Sequence, residues 1–154
     1  MILTDYLSIA GLLLTLLGFT VTILNVRKAR RLTEQLRGDL KRIDAASELS
    51  SAIACMTEIK TLHRMGQWFI VLDRYSSLRK SLILIRENNH DLNDESKKII
   101  QSTISLLSAI EDIVEKSNNK KEPPEDVPKL NQIISKQMDK MHPILLELQN
   151  KIGR

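Results

Sequence analysis

One feature constrains this chain more than any other: an uncharged, strongly apolar stretch close to the N-terminus. From Tyr6 to Leu24 no residue is charged, and most positions hold Leu, Ile, Val, Ala, Gly, Thr or Ser. Tyr6–Asn25 is 20 residues long, and a helix of that length spans roughly 30 Å, the thickness of the hydrocarbon core of a bilayer. The sequence therefore predicts a single transmembrane helix within residues 1–26.

The charges on either side of this stretch predict how it is oriented. Asp5 is the only charge before it, whereas Arg27, Lys28, Arg30 and Arg31 follow it. A cleaved signal peptide carries its positive charge before the apolar run and a small-residue cleavage site after it, so this segment does not fit one. Because basic residues stay on the cytoplasmic side, we expect an inner (plasma) membrane protein with its N-terminus outside and its C-terminus in the cytoplasm.

The remainder of the chain has the pattern of an all-α protein. Residues 27–44 are predicted to form a basic juxtamembrane helix, and residues 45–154 a cytoplasmic bundle of about four helices. The predicted helices cover 45–65, 68–87, 94–116 and 127–152, with Asn93 as an N-cap and Pro143 as a kink. Apolar residues recur at alternating spacings of three and four, as in packed helices. The predicted core stripes are Trp68, Val71, Tyr75, Leu78, Leu82 and Ile85, then Ile100, Thr103, Leu107, Ile110 and Val114, and finally Ile134, Met138, Met141, Leu145, Leu148 and Ile152.

Small and polar residues form a stripe of their own inside the predicted membrane helix. They follow a 3-4-3-4-3 spacing, with Asp5 extending the line at the outer end: Ser8, Gly11, Thr15, Gly18, Thr22 and Asn25. Small residues let membrane helices approach closely, and hydroxyl or amide groups can hydrogen-bond across the contact. The stripe predicts a homo-oligomer, in which it forms either a dry helix–helix contact or the lining of a pore. In a pore, a ring of Asp5 carboxylates would favour cations.

A second group of residues suggests a ligand on the cytoplasmic side. Four cations lie off the apolar stripe of the helix predicted at 68–87: Arg74, Arg79, Lys80 and Arg86. Guanidinium groups bind phosphate in a bidentate manner, so this face could hold a nucleotide, a nucleic acid or an acidic protein partner. The alternative is a solvated face whose charges pair with acids such as Asp73 and Glu87.

No pattern in the sequence indicates catalysis, a metal or a cofactor, and we expect the chain not to be an enzyme. His63, His90 and His142 are far apart, Cys55 is the only cysteine, and all five glycines are isolated. Arg86 and His90 resemble the arginine–histidine motif of HEPN ribonucleases. Only three residues separate them here, fewer than in that family, so ribonuclease activity is not expected to carry over.

The order of these features resembles the small membrane effectors of bacterial anti-phage defence, such as the accessory protein of type VI-B CRISPR systems and Hailong-type effectors. The shared features are an outward N-terminus, one N-terminal span, a basic collar and a compact helical cytoplasmic domain. The resemblance implies a protein that oligomerises and opens a ligand-gated pore or channel in the inner membrane. The alternative is a membrane-tethered scaffold that recruits a protein partner through the Pro123–Pro124 loop and the methionines Met138 and Met141.

Overall fold

The described part of the chain is entirely helical. The computed structural model describes the backbone of residues 2–89, 92–120 and 122–152, and their side chains except those of residues 2–10, 12 and 13. Four helices follow one another in these ranges: α1 (Ile2–Met65), α2 (Trp68–Asn88), α3 (Asp94–Lys120) and α4 (Val127–Asn150). No strand occurs in them. The prediction of an all-α bundle is confirmed.

Helix α1 is longer than the sequence pattern indicated. Separate helices were expected on either side of residue 44, yet α1 continues through Asp44 without interruption to Met65. It also contains Gly38, which weakens a helix by about 1 kcal/mol relative to alanine but does not end it. No proline lies within α1, so every residue of the helix has a backbone N–H that can donate a helical hydrogen bond.

The chain divides into two compact units, residues 1–38 and residues 39–154. The boundary falls inside the predicted juxtamembrane segment 27–44. Across the residues that the structure describes, no helix is both long enough and apolar enough to cross a membrane. The predicted span includes the side chains of Tyr6–Ala10, Leu12 and Leu13, which lie outside the described set.

The core of the second unit draws on all four helices. Helix α1 contributes side chains from Ala45 onward, and the predicted stripes of α2 and α3 are buried, apart from Trp68, which packs at the edge of the core. Helix α4 buries Ile134, Met141 and Leu148 as predicted, but it is turned slightly from the predicted face. Gln137 and Ile144 are buried, while Met138 and Leu145 are only partly buried. Gln137 turns inward because its Oε1 accepts a hydrogen bond from the Thr103 hydroxyl, at 3.2 Å.

Contacts between consecutive helices show an antiparallel arrangement. The start of α3 lies beside the end of α4, where the Asn93 amide donates to Glu147, whereas Thr103 meets Gln137 further along both helices. Helix α4 closes against α1 in the same manner, because Arg42 donates to the carbonyl of Lys151 while His63 bonds to Asn131. The second unit is therefore an up-and-down four-helix bundle.

Side chains and a glycine fix the helix ends of the bundle. Gly66 has a φ of 67° and follows α1, and the N–H groups of Gly66 and Gln67 bond back to the carbonyls of His63 and Leu62. This is a Schellman motif, which needs a left-handed residue at that position. Asn93 caps α3 through Ser96 N, which confirms the predicted cap, and Asp126 caps α4 through Lys129 N.

Candidate functional site

The described part of α1 in the first unit exposes an unusual amount of apolar surface. Leu14 is 71% exposed and Phe19 is 65% exposed. Six further large apolar side chains between Leu14 and Arg27 are also exposed: Leu16, Leu17, Val21, Ile23, Leu24 and Val26. They cover about two thirds of the helix circumference and not one narrow stripe, which is typical of a helix that is covered by lipid or by other protein.

The small-residue stripe occupies one side of this segment. At about 100° per residue, Gly11, Thr15, Gly18, Thr22 and Asn25 fall within an arc of about 80° on α1. A Cβ built on Gly11 or Gly18 meets nothing within 4 Å, so that side is open to another helix. The side chains of Asp5 and Ser8, which the sequence adds to this line, lie outside the described residues.

Threonines along this helix are already hydrogen-bonded within it. The hydroxyls of Thr15 and Thr22 donate to the carbonyls of Gly11 and Gly18, both at 2.8 Å. Thr20, on the opposite side of α1, donates to Leu16 O in the same way, also at 2.8 Å. A hydroxyl satisfied by its own helix can face lipid or a dry helix contact without losing a hydrogen bond.

Helix α2 does not gather the four predicted ligand-binding cations on one side. Arg74 lies on the flank toward α1, where its Nε donates to Glu58 at 3.1 Å. Arg79 and Arg86 lie on the other flank, paired with Glu111 and Glu87 respectively. Lys80 points away from the core and is exposed, with no acidic partner among the described residues.

The Arg79–Glu111 pair is the most enclosed of these ion pairs. The Nη2 of Arg79 lies 2.7 Å from Glu111 Oε2, and the Glu111 side chain is 15% exposed. Burial raises the pKa of the Glu111 carboxyl, and Arg79 opposes that rise. The Nε of Arg79 is a buried N–H with no hydrogen-bond partner among the described residues. The pair joins α2 to α3 and leaves one donor unsatisfied.

A buried polar network joins three helices of the bundle. The Nδ1 of His63 on α1 lies 2.8 Å from Asn131 Oδ1 on α4, and its Nε2 lies 3.0 Å from the Tyr75 hydroxyl on α2. His63 is 2% exposed and Tyr75 is fully buried. The ring of Trp68 stands 5.5 Å from that of His63, centroid to centroid.

Sequence reasoning did not find this network. His63 was considered only as a metal ligand, whereas it continues the buried line Ala52, Met56, Ile59 at helical spacing. That spacing was the signal available in the sequence. Its partners could not be found in the same way, because Asn131 is 68 residues further along the chain.

The environments of the remaining candidate residues do not favour reactivity or binding. Burial raises the pKa of the Cys55 thiol, which lies 4.0 Å from the carbonyl of Arg74. Such a thiol is a poor nucleophile. The described residues contain no group of histidine, cysteine and carboxylate side chains that could hold a metal ion. Met141 is completely buried, so it cannot serve the docking surface predicted for the last helix, and His90 lies outside the described residues.

Comparison with known proteins gives no relative for this chain. No known protein family matches the sequence, no curated protein matches it, and no solved structure matches the fold.

Proposed function

We propose that this protein is a membrane-anchored effector that self-associates through α1. In this proposal residues 6–25 cross the inner membrane and the bundle lies in the cytoplasm. The observation that carries the proposal is the exposure of large apolar side chains on every side of α1 from Leu14 to Val26, except the side that carries the small residues. Surface of that kind is disfavoured in water by about 25 cal/mol for each Å². Lipid and neighbouring helices would cover it.

The proposed activity is a ligand-gated pore. Copies of the chain would turn the side of α1 that carries Thr15, Gly18, Thr22 and Asn25 toward a common axis. Lys80, which has no acidic partner among the residues that the structure describes, is the cation of α2 best placed to meet a nucleotide or nucleic-acid phosphate. Arg74, Arg79 and Arg86 would first have to break their ion pairs with glutamates. The layout is similar to that of membrane effectors in bacterial anti-phage defence, so opening is expected to stop cell growth.

The test uses full-length protein in liposomes loaded with an ion-sensitive dye. We expect Thr15→Leu and Gly18→Leu to reduce ion flux at least tenfold, since a leucine would obstruct the proposed lining. Thr20→Leu is the matched control, because Thr20 makes the same hydrogen bond on the opposite side of α1. Flux that Thr15→Leu, Gly18→Leu and Thr20→Leu leave equally unchanged would exclude a pore lined by the small-residue stripe.

A membrane-tethered scaffold is the second candidate. It is favoured by the hydroxyls of Thr15 and Thr22, which are satisfied within α1 and suit a dry contact. In this case the stripe sets the number of copies, and the bundle binds a protein partner. Its expected contact is the exposed Pro123 of the Pro123–Pro124 loop, since Pro124 is buried. Substitutions in the stripe would then change the mass of the assembly, and neither the variants nor the unmodified protein would conduct ions.

The mass of the full-length protein in nanodiscs separates these candidates. A ring of four or more copies supports the pore, because fewer helices cannot enclose a water-filled path. A dimer supports the scaffold. The protein could also be a monomer whose mass neither Thr15→Leu nor Thr20→Leu changes. That result would contradict self-association and therefore both proposals.

A further inference from the structure

The His63 network has only one protonation state in which all its members are satisfied. Asn131 Oδ1 can only accept, so the proton on the neutral ring belongs on Nδ1. The other ring nitrogen, Nε2, then accepts a hydrogen bond from the hydroxyl of Tyr75. Every donor and acceptor facing the ring is paired in this arrangement, and the ring is uncharged.

Protonation would break this arrangement. The cationic ring would carry a proton on Nε2 as well, 3.0 Å from the Tyr75 oxygen, which would then have to accept. The hydroxyl proton of Tyr75 would be left in the core with no second partner among the described residues. A charge would also be placed on a side chain that is 2% exposed, and burial of an unpaired charge is strongly unfavourable.

The other groups around the ring do not offset that charge. Helix α4 offers the uncharged Asn131, and α2 offers Tyr75 and the indole of Trp68. From α3, the carboxylate of Glu111 acts on Tyr75 and is held by Arg79 of α2. Only two effects on the pKa of His63 stand out, burial, which lowers it, and the Asn131 hydrogen bond, which raises it.

We propose that the His63–Tyr75–Asn131 network is a pH-sensitive latch that holds the C-terminal end of α1 against α2 and α4. While His63 is neutral the latch is closed. When the ring is protonated it leaves the core, and the α1–α2 turn around Gly66 opens locally while the remainder of the bundle stays folded. The proposal stands independently of the membrane function above.

The chain contains its own reporter for this event. Trp68 is the only tryptophan and its ring lies beside that of His63, so its emission reports directly on the latch. The experiment follows tryptophan emission and far-ultraviolet circular dichroism of the full-length protein in detergent micelles from pH 7.5 to 4.5. We expect an emission transition with a midpoint below about pH 6.5, the ordinary pKa of histidine, with helix content unchanged.

Three variants decide whether His63 is responsible. His63→Gln should abolish the emission transition, and His142→Gln, at an exposed histidine of α4, should leave it intact. Tyr75→Phe removes the hydroxyl that holds neutral Nε2 and should raise the midpoint. If His63→Gln does not fold, the imidazole resonances of the unmodified protein give the same answer. The latch is refuted by a transition that persists in His63→Gln, by a His63 resonance that titrates at or above 6.5, or by helix loss that coincides with the emission change.

Discussion

At the scale of single residues, one glycine inside α1 and one directly after it are expected to have opposite effects on stability. Gly66 adopts a φ of 67°, where a side chain is disfavoured by roughly 1–2 kcal/mol. Gly38 lies inside the helix, and a Cβ built on it meets nothing within 4 Å.

We therefore expect Gly66→Ala to lower the free energy of unfolding by about 1 kcal/mol or more. Gly38→Ala is the control and should raise it or leave it unchanged, because alanine favours a helix interior by up to about 1 kcal/mol. Urea unfolding of the two full-length variants, followed by circular dichroism, measures both. Equal destabilisation would contradict the assignment of the Schellman motif.

His63 also gives the stability of the bundle a pH dependence. Burial lowers its pKa below the ordinary value of 6.5, so the unfolded chain takes up the proton at a higher pH than the folded chain does. Its contribution to the free energy of unfolding is fully present above pH 6.5 and is lost as the pH falls from there through the folded pKa. The loss is at most about 1.4 kcal/mol for each pH unit.

Urea unfolding at a series of pH values between 7.5 and 5 should therefore show stability falling with acid, and His63→Gln should flatten the slope. Glu111 acts in the opposite sense. Burial raises the pKa of its carboxyl, so its contribution is largest at low pH and declines as the pH rises through the folded pKa. Identical slopes with and without His63 would show that other groups control the response.

At the scale of helices, α4 shows how a buried polar contact can select one face over another. Periodicity alone predicted Met138 and Met141 on the same core stripe. The structure buries Met141 completely and Met138 only in part, because Gln137 is directed inward to Thr103. The spacing of apolar residues cannot reveal a buried glutamine, because the partner that draws it inward lies on another helix.

Replacing the two methionines tests this orientation of α4. Met141→Ala should lower the free energy of unfolding by about 2–5 kcal/mol, the usual range for a fully buried side chain of this size. Met138→Ala should have a clearly smaller effect. Thermal unfolding of both variants gives the comparison, and a larger loss at position 138 would mean that α4 is rotated toward the predicted face.

At the scale of the whole molecule, every buried core side chain among the described residues lies in the second unit. Its buried side chains begin at Ala45 and end at Leu148, and residues 39–154 form a compact unit of their own. The hydrophobic stabilisation of the bundle therefore needs none of the first 38 residues.

A fragment of residues 39–154 should consequently fold as a monomer, with cooperative unfolding and a full helical spectrum. A shorter fragment of residues 53–154 is the matched control. It lacks Ala45, Leu49 and Ala52 of the core and should lose cooperativity. Sedimentation and circular dichroism measure both fragments; a molten 39–154 fragment would show that the first unit contributes to folding.

The sequence by itself determined the helical class, the core faces of α2 and α3, and the Asn93 cap. These features depend on interactions between residues three or four positions apart, which periodicity reveals directly. The sequence also identified the side of α1 that carries the small residues. The role of that side in self-association stays a prediction.

Only the tertiary structure decided the features that join distant parts of the chain. Asn131 meets His63 across 68 residues, and Glu111 pairs with Arg79 across two helices. The same packing divides the four cations of α2 between its two flanks and its exposed side. Local sequence patterns cannot specify such pairs, because they form only when hydrophobic burial has fixed which helices are neighbours and how each is turned.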